Sequence, residues 1–137
     1  MRAPQGIYKM PAGTYYVGDP CYSFNIQWES ILEQTEHFRF PIFLDESDKP
    51  VVVAFPTAYG DGTYRDLDGT CYFVDAGLLG LVLCGTEDRN PKHARVAPVT
   101  FEGEVSCYVE EHGHVVVFSD GCKTISIVTD RERFGAD

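Results

Sequence analysis

Asp61, Asp66, Asp68 and Asp75 crowd the stretch between Thr57 and Gly80, where turn residues and β-formers alternate in short blocks. Grouped carboxylates are what Ca2+ binding or acid-base hydrolysis needs, so a carboxylate- or metal-dependent hydrolase would rest on Asp61 or Asp75. The spacing is not that of an EF-hand loop, which sets acidic ligands at alternate positions and closes on a glutamate. No catalytic residue and no metal ligand is therefore assigned. Aspartate also favours turns by hydrogen-bonding its own backbone, which accounts for the cluster without any chemistry. Asp75 stands apart, because Val74 and Ala76 flank it and a carboxylate brought beside a core strand needs a partner.

Gly60-Asp61-Gly62 has the composition of a phosphate cradle, but a phosphate loop opens a helix whose N-terminus supplies donors, and here a strand is predicted. Five cysteines are scattered with no CxxC pair, which suits reduced core thiols better than a disulfide framework or a zinc site. Cys21, after Gly-Asp-Pro and before a helix, is the one thiol whose setting could lower its pKa. Arg89, Lys92, His93 and Arg95 gather in one loop of an acidic chain. Together with Tyr59, Tyr64 and Tyr72 they predict a site for a phosphate-bearing, nucleotide-like ligand, the tyrosines stacking a base and Arg89, Lys92 and Arg95 taking phosphates. The competing reading is a solvated loop balanced by Glu87 and Asp88.

These side chains must be carried by one small body. A chain of 137 residues fits a single domain over 1–137, long enough to bury a core. The apolar fraction of 44% argues for folding despite a net charge of −10. That charge opposes binding to nucleic-acid polymers or anionic membranes and permits basic partners. There is no continuous apolar leader and no run long enough to span a bilayer, so a cytoplasmic protein is expected. No cofactor is implied.

Asp68-Gly69 between two β-forming runs predicts a two-residue hairpin, with Arg65 facing Tyr72 and Tyr64 facing Phe73. Short strands are expected at Ile7 to Met10 and Gly13 to Val17, the latter stopped by Gly18-Asp19-Pro20. A helix from Asn25, its cap, to about Glu36 carries Trp28, Ile31, Leu32 and Thr35 on one stripe. Phe38 to Leu44, interrupted by Pro41, reads as an edge strand, and Val51 to Phe55 as a buried one. Leu78 to Cys84 follows the hairpin. Four strands between Arg95 and Thr129 read as an antiparallel meander, turning at Gly103, His112-Gly113 and Asp120-Gly121.

The blocks GDPCY at 18 to 22, YGDGTY at 59 to 64 and VDAGLLGLV at 74 to 82 resemble, in the same order, a group of small uncharacterised phage and bacterial proteins. The resemblance spans Thr14 to Val82. It implies a phage or prophage setting and a β-rich fold, and carries over no catalytic residues. The expected fold is α+β, mainly antiparallel β as a sandwich or partly closed barrel, with one covering helix near 25–36. The expected function is non-enzymatic: a binding protein that sequesters a small, nucleotide-like ligand or occludes a host protein, in a phage setting as interference with host defence. The alternatives are the hydrolase above and an acidic module that docks on a basic protein.

Overall fold

The computed structural model describes residues 6–91, 96–110, 112 and 114–130. They include eleven strands, one α-helix and a 3-10 turn. A five-stranded sheet has the order β3-β4-β7-β2-β8, formed by Ile42–Leu44, Pro50–Pro56, Leu78–Leu83, Gly13–Gly18 and Ala97–Phe101. A four-stranded sheet has the order β1-β9-β10-β11, formed by Tyr8–Met10, Val105–Val109, Val115–Ser119 and Thr124–Val128. The hairpin β5-β6, Gly62–Arg65 with Cys71–Val74, stands as a third sheet. All pairings are antiparallel, so the molecule is an α+β fold dominated by antiparallel β, and no sheet closes into a barrel.

Period-two alternation sorts the five-stranded sheet into two faces. Tyr15, Val17, Val53, Phe55, Leu79 and Leu81 meet Met10, Val105, Cys107, Val116, Phe118, Ile125 and Ile127 of the other sheet in one core. Val52, Ala54, Leu78 and Val82 point the other way, against Phe24, Ile31 and Phe38. A bulge on β4 lets Val51 join that second layer: Phe43 pairs with Val52 but Leu44 with Pro50, so Val51 has no opposite number. The two sheets are joined twice by consecutive strands, β1 to β2 and β8 to β9, and each pair keeps its ladder on both sides of the corner. For this reason β8 belongs to the five-stranded sheet. Only β9, β10 and β11 form the expected meander.

The helix α1 is shorter than its stripe suggested, Trp28–Thr35. Asn25 is not its cap. The carboxylate of Asp88 supplies the cap from a distant loop, accepting from the N–H of Asn25 and, at 2.8 Å, from that of Gln27. After α1, Glu36, His37 and Phe38 take left-handed φ values of 53, 59 and 60°. Such a run costs free energy at every residue, and it persists because it drops Phe38, fully buried, onto the second layer. Thr35 secures it: its hydroxyl donates to Ile31 O at 2.8 Å and accepts from Phe38 N at 3.0 Å. The edge strand is consequently confined to Ile42–Leu44, after Pro41.

The central hairpin has a register one residue away from the expected one. Tyr64 faces Tyr72 and Thr63 faces Phe73. The cause is Asp66, whose Oδ1 accepts from Asp68 N at 2.9 Å and Thr70 N at 3.0 Å, while Asp66 N donates to Thr70 O at 3.0 Å. The loop therefore spans Leu67 to Gly69, with Gly69 at φ +86° as a three-residue turn requires. A slip of one residue exchanges the faces of a strand. Tyr64 and Tyr72 turn inward together, and Thr63 and Phe73 turn outward together.

Candidate functional site

Asp19 assembles the site. Proline at 20 presets the first turn of a 3-10 helix, Pro20–Tyr22, and Asp19 caps it, accepting from Cys21 N at 3.0 Å through Oδ1. The other oxygen crosses to the bend that follows β6. There Oδ2 accepts from Asp75 N at 3.1 Å, Ala76 N at 2.7 Å and Leu78 N at 3.5 Å. One carboxylate, 1% exposed, thus ties the Gly-Asp-Pro block to the Val-Asp-Ala-Gly block. Burial pushes its pKa up, and the surrounding N–H donors pull against that shift without cancelling it.

What this tie holds in place is a shallow concavity of about 380 Å3. Tyr22 comes from the first block, Asp61, Gly62 and Thr63 from the second, and Val74 and Asp75 from the third, with Phe73 beside them. Among the described residues, no lysine, arginine or histidine lines it. Asp61 and Asp75 are both exposed. Burial first, and then the nearby Asp75 carboxylate, push the Tyr22 pKa upward. Gly77, at φ +71°, runs close to Asp61, and a Cβ there would sit 3.7 Å from Asp61 Oδ1. The loop before β5 is fixed by two hydroxyls, Thr57 and Tyr64, each donating to Gly60 O at 2.6 Å.

Chemically, two carboxylates beside two aromatic rings attract a cation by charge and by the negative faces of the rings. They repel a phosphate. Among the described residues, no group of three or more His, Cys, Asp or Glu side chains is placed to hold a metal ion.

The residues predicted from sequence distribute unevenly around this feature. Asp61 and Asp75 are brought together. Tyr64 and Tyr72 are 0% and 3% exposed, part of the main core, and their hydroxyls are spent on Gly60 O and on Asp66 Oδ2 at 2.8 Å. Neither ring offers a face to a ligand, because the shifted register turned both inward. Tyr59 is 56% exposed and lies outside the lining, its backbone N–H donating to Thr129 O at 2.7 Å. Arg89 is exposed and near enough to act electrostatically on Cys21. Lys92 and Arg95, with His93, lie outside the described residues. Glu87 and Asp88 have other partners among the described residues: Glu87 accepts from Gly85 N at 2.6 Å and Tyr16 Oη at 3.1 Å, and Asp88 caps α1.

Cys21 reverses its expectation. Its pKa is pushed up, by burial first and then by Asp19, Asp75 adding to the effect while Arg89 partly offsets it. An N-terminal 3-10 turn lowers a thiol pKa only where no carboxylate already occupies its donors. Asp19, Tyr22, Thr63 and Phe73 were not singled out from the sequence. For Asp19 a signal existed, since an aspartate directly before proline is a capping pattern; for Thr63 and Phe73 the outward face depended on a register that Asp66 decides. Nothing among family models, curated proteins or solved structures matches this chain.

Proposed function

We propose that this protein is a non-enzymatic binding module that receives a basic side chain of a partner protein in the concavity of Tyr22, Asp61, Phe73 and Asp75. The observation that carries this reading is the convergence of three separated blocks, held by the buried Asp19 carboxylate, on one acidic and aromatic surface with no cation in its lining among the described residues. The partner class is a basic protein face, of the kind that otherwise contacts nucleic acid, and the net charge of −10 favours its approach. Sequestration of a phosphate-bearing ligand is not supported at this surface, because its two carboxylates oppose a phosphate and, of the three tyrosines expected to stack a base, Tyr64 and Tyr72 are core residues. A hydrolase would draw on the same two carboxylates, Asp61 and Asp75, and both stand exposed to solvent rather than in the water-excluded setting that acid-base chemistry uses.

The test is a titration with an arginine-rich peptide and with its citrulline counterpart, which keeps shape and loses charge. Binding of the arginine form alone, weakening as salt is raised and falling about tenfold in an Asp61→Asn, Asp75→Asn double variant of unchanged thermal stability, is the expected result. Equal binding of both peptides, no binding of either at low salt, or an unaffected double variant would each overturn it.

A further inference from the structure

A second cavity, about 540 Å3, lies on the other side of the five-stranded sheet, between α1 and the β3-β4 turn. Its floor is apolar: Phe24, Ile31 and Val51 are 2%, 0% and 2% exposed, and Phe43 and Leu44 wall it from β3. Val51 reaches this floor only through the β4 bulge. The helix side does not close over it, since the Gln34 amide donates to Ser30 Oγ at 3.0 Å along its own helix. Among the described residues the charged lining is acidic, Asp45 and Glu46, with no lysine, arginine or histidine; Lys49 belongs to the same turn but does not line the cavity. Asp45 is occupied as a turn former, its Oδ1 accepting from Ser47 N at 2.8 Å and Lys49 N at 3.0 Å. The Glu46 carboxylate makes no hydrogen bond or ion pair with any described residue.

We propose that this cavity binds a small amphiphilic cation, an aryl- or alkylammonium compound whose apolar body rests on Phe24, Ile31 and Val51 and whose ammonium is held at Glu46. Its volume is that of a small-molecule pocket, and its floor offers the buried apolar surface from which such sites derive affinity. The sign of the rim selects the cation: the carboxylates add to attraction for an ammonium and subtract from it for a carboxylate of the same shape. The site is independent of the concavity at Asp61 and Asp75, so either assignment can fail while the other stands.

Phenethylammonium, 2-phenylethanol and phenylacetate share one apolar body and differ in charge. Titrated into 15N-labelled protein, they are expected to bind in that order, the ammonium about fivefold tighter than the alcohol, as one charge near 4 Å in a water-like dielectric provides. Amide shifts are expected around Ile31, Leu44 and Val51, and Glu46→Gln should bring the ammonium to within about twofold of the alcohol. Ser30→Trp, at an exposed helix position, should abolish binding of both by filling the mouth. Equal affinities for the three probes, shifts clustered elsewhere, or undiminished binding to Ser30→Trp would overturn the proposal, and none of these depends on the Asp61 and Asp75 variants.

Discussion

The Asp19 carboxylate and the backbone N–H of Ala76 lie 2.7 Å apart across 57 positions of chain. The same oxygen also takes the N–H groups of Asp75 and Leu78, so a bend that would otherwise leave its donors buried and unpaired is satisfied from a distant segment. Asn at 19 keeps one acceptor and turns an NH2 group toward donors. Asp19→Asn is therefore expected to lose about 2–3 kcal/mol of stability, measured by urea unfolding, the range for leaving buried donors unpaired. Amide resonances of Tyr22, Asp61 and Asp75 should move with it. A variant as stable as the parent would mean that these bonds contribute nothing net.

Two aspartates should titrate on opposite sides of the ordinary carboxylate value. Asp19, raised by burial, binds a proton more tightly folded than unfolded; its stabilising contribution is complete below the unfolded pKa and is lost as pH rises through the folded one. Asp120 is lowered, chiefly by Lys123 N at 2.7 Å and then Cys122 N at 2.9 Å, so its contribution is present above the unfolded pKa and lost as pH falls through the folded one. Carboxyl 13C titration should show this order directly, and Asp120→Asn should flatten the acid limb of the stability profile. Coincident titrations would refute both assignments.

The strand positions and the buried faces were legible because hydrophobic alternation and glycine or proline punctuation are local. Val51 to Phe55, Leu78 to Cys84 and Val115 to Ser119 needed nothing else. What the sequence did not disclose was decided by side chains acting at a distance or against local preference. Asp66 chose a three-residue turn where Asp68-Gly69 alone favoured two, and that single step removed Tyr64 and Tyr72 from the ligand-facing set. Asp88 replaced Asn25 as helix cap from another loop. For the site, Asp61 and Asp75 were found by chemistry. Asp19, which places them, was hidden because its partners lie in another block.

Gly80 sits at the centre of the five-stranded sheet, paired with Gly18 on β2 and Ala54 on β4. A Cβ at 80 would fall 1.9 Å from Val53 O and 2.8 Å from the Cα and Cβ of Ala54, contacts with backbone that cannot rotate away. Gly80→Ala is expected to destabilise by about 3 kcal/mol, at the upper end for overpacked sites. Gly103→Ala, where the nearest atom is Asp120 O at 3.9 Å, is the control and should change stability by less than about 1 kcal/mol. Similar losses at both positions would show that a general cost of replacing glycine, not the close approach at 80, sets the loss.

The cysteines should separate by kinetics. Cys107 is fully buried between the sheets, and burial pushes its pKa up to about 12, so near pH 8 it is almost entirely a protonated thiol with no path for a reagent. Cys122 is exposed on the β10-β11 turn. With an aromatic disulfide reagent at pH 8, Cys122 should give the fastest phase, and Cys122→Ser should remove it. Cys107 should react only as fast as the protein unfolds, its rate rising with urea in step with the unfolding rate. Prompt modification of Cys107 in native buffer, located by peptide mass mapping, would mean that the two sheets part locally without global unfolding, and that the ribbon of β1, β2, β8 and β9 which joins them is not a rigid corner.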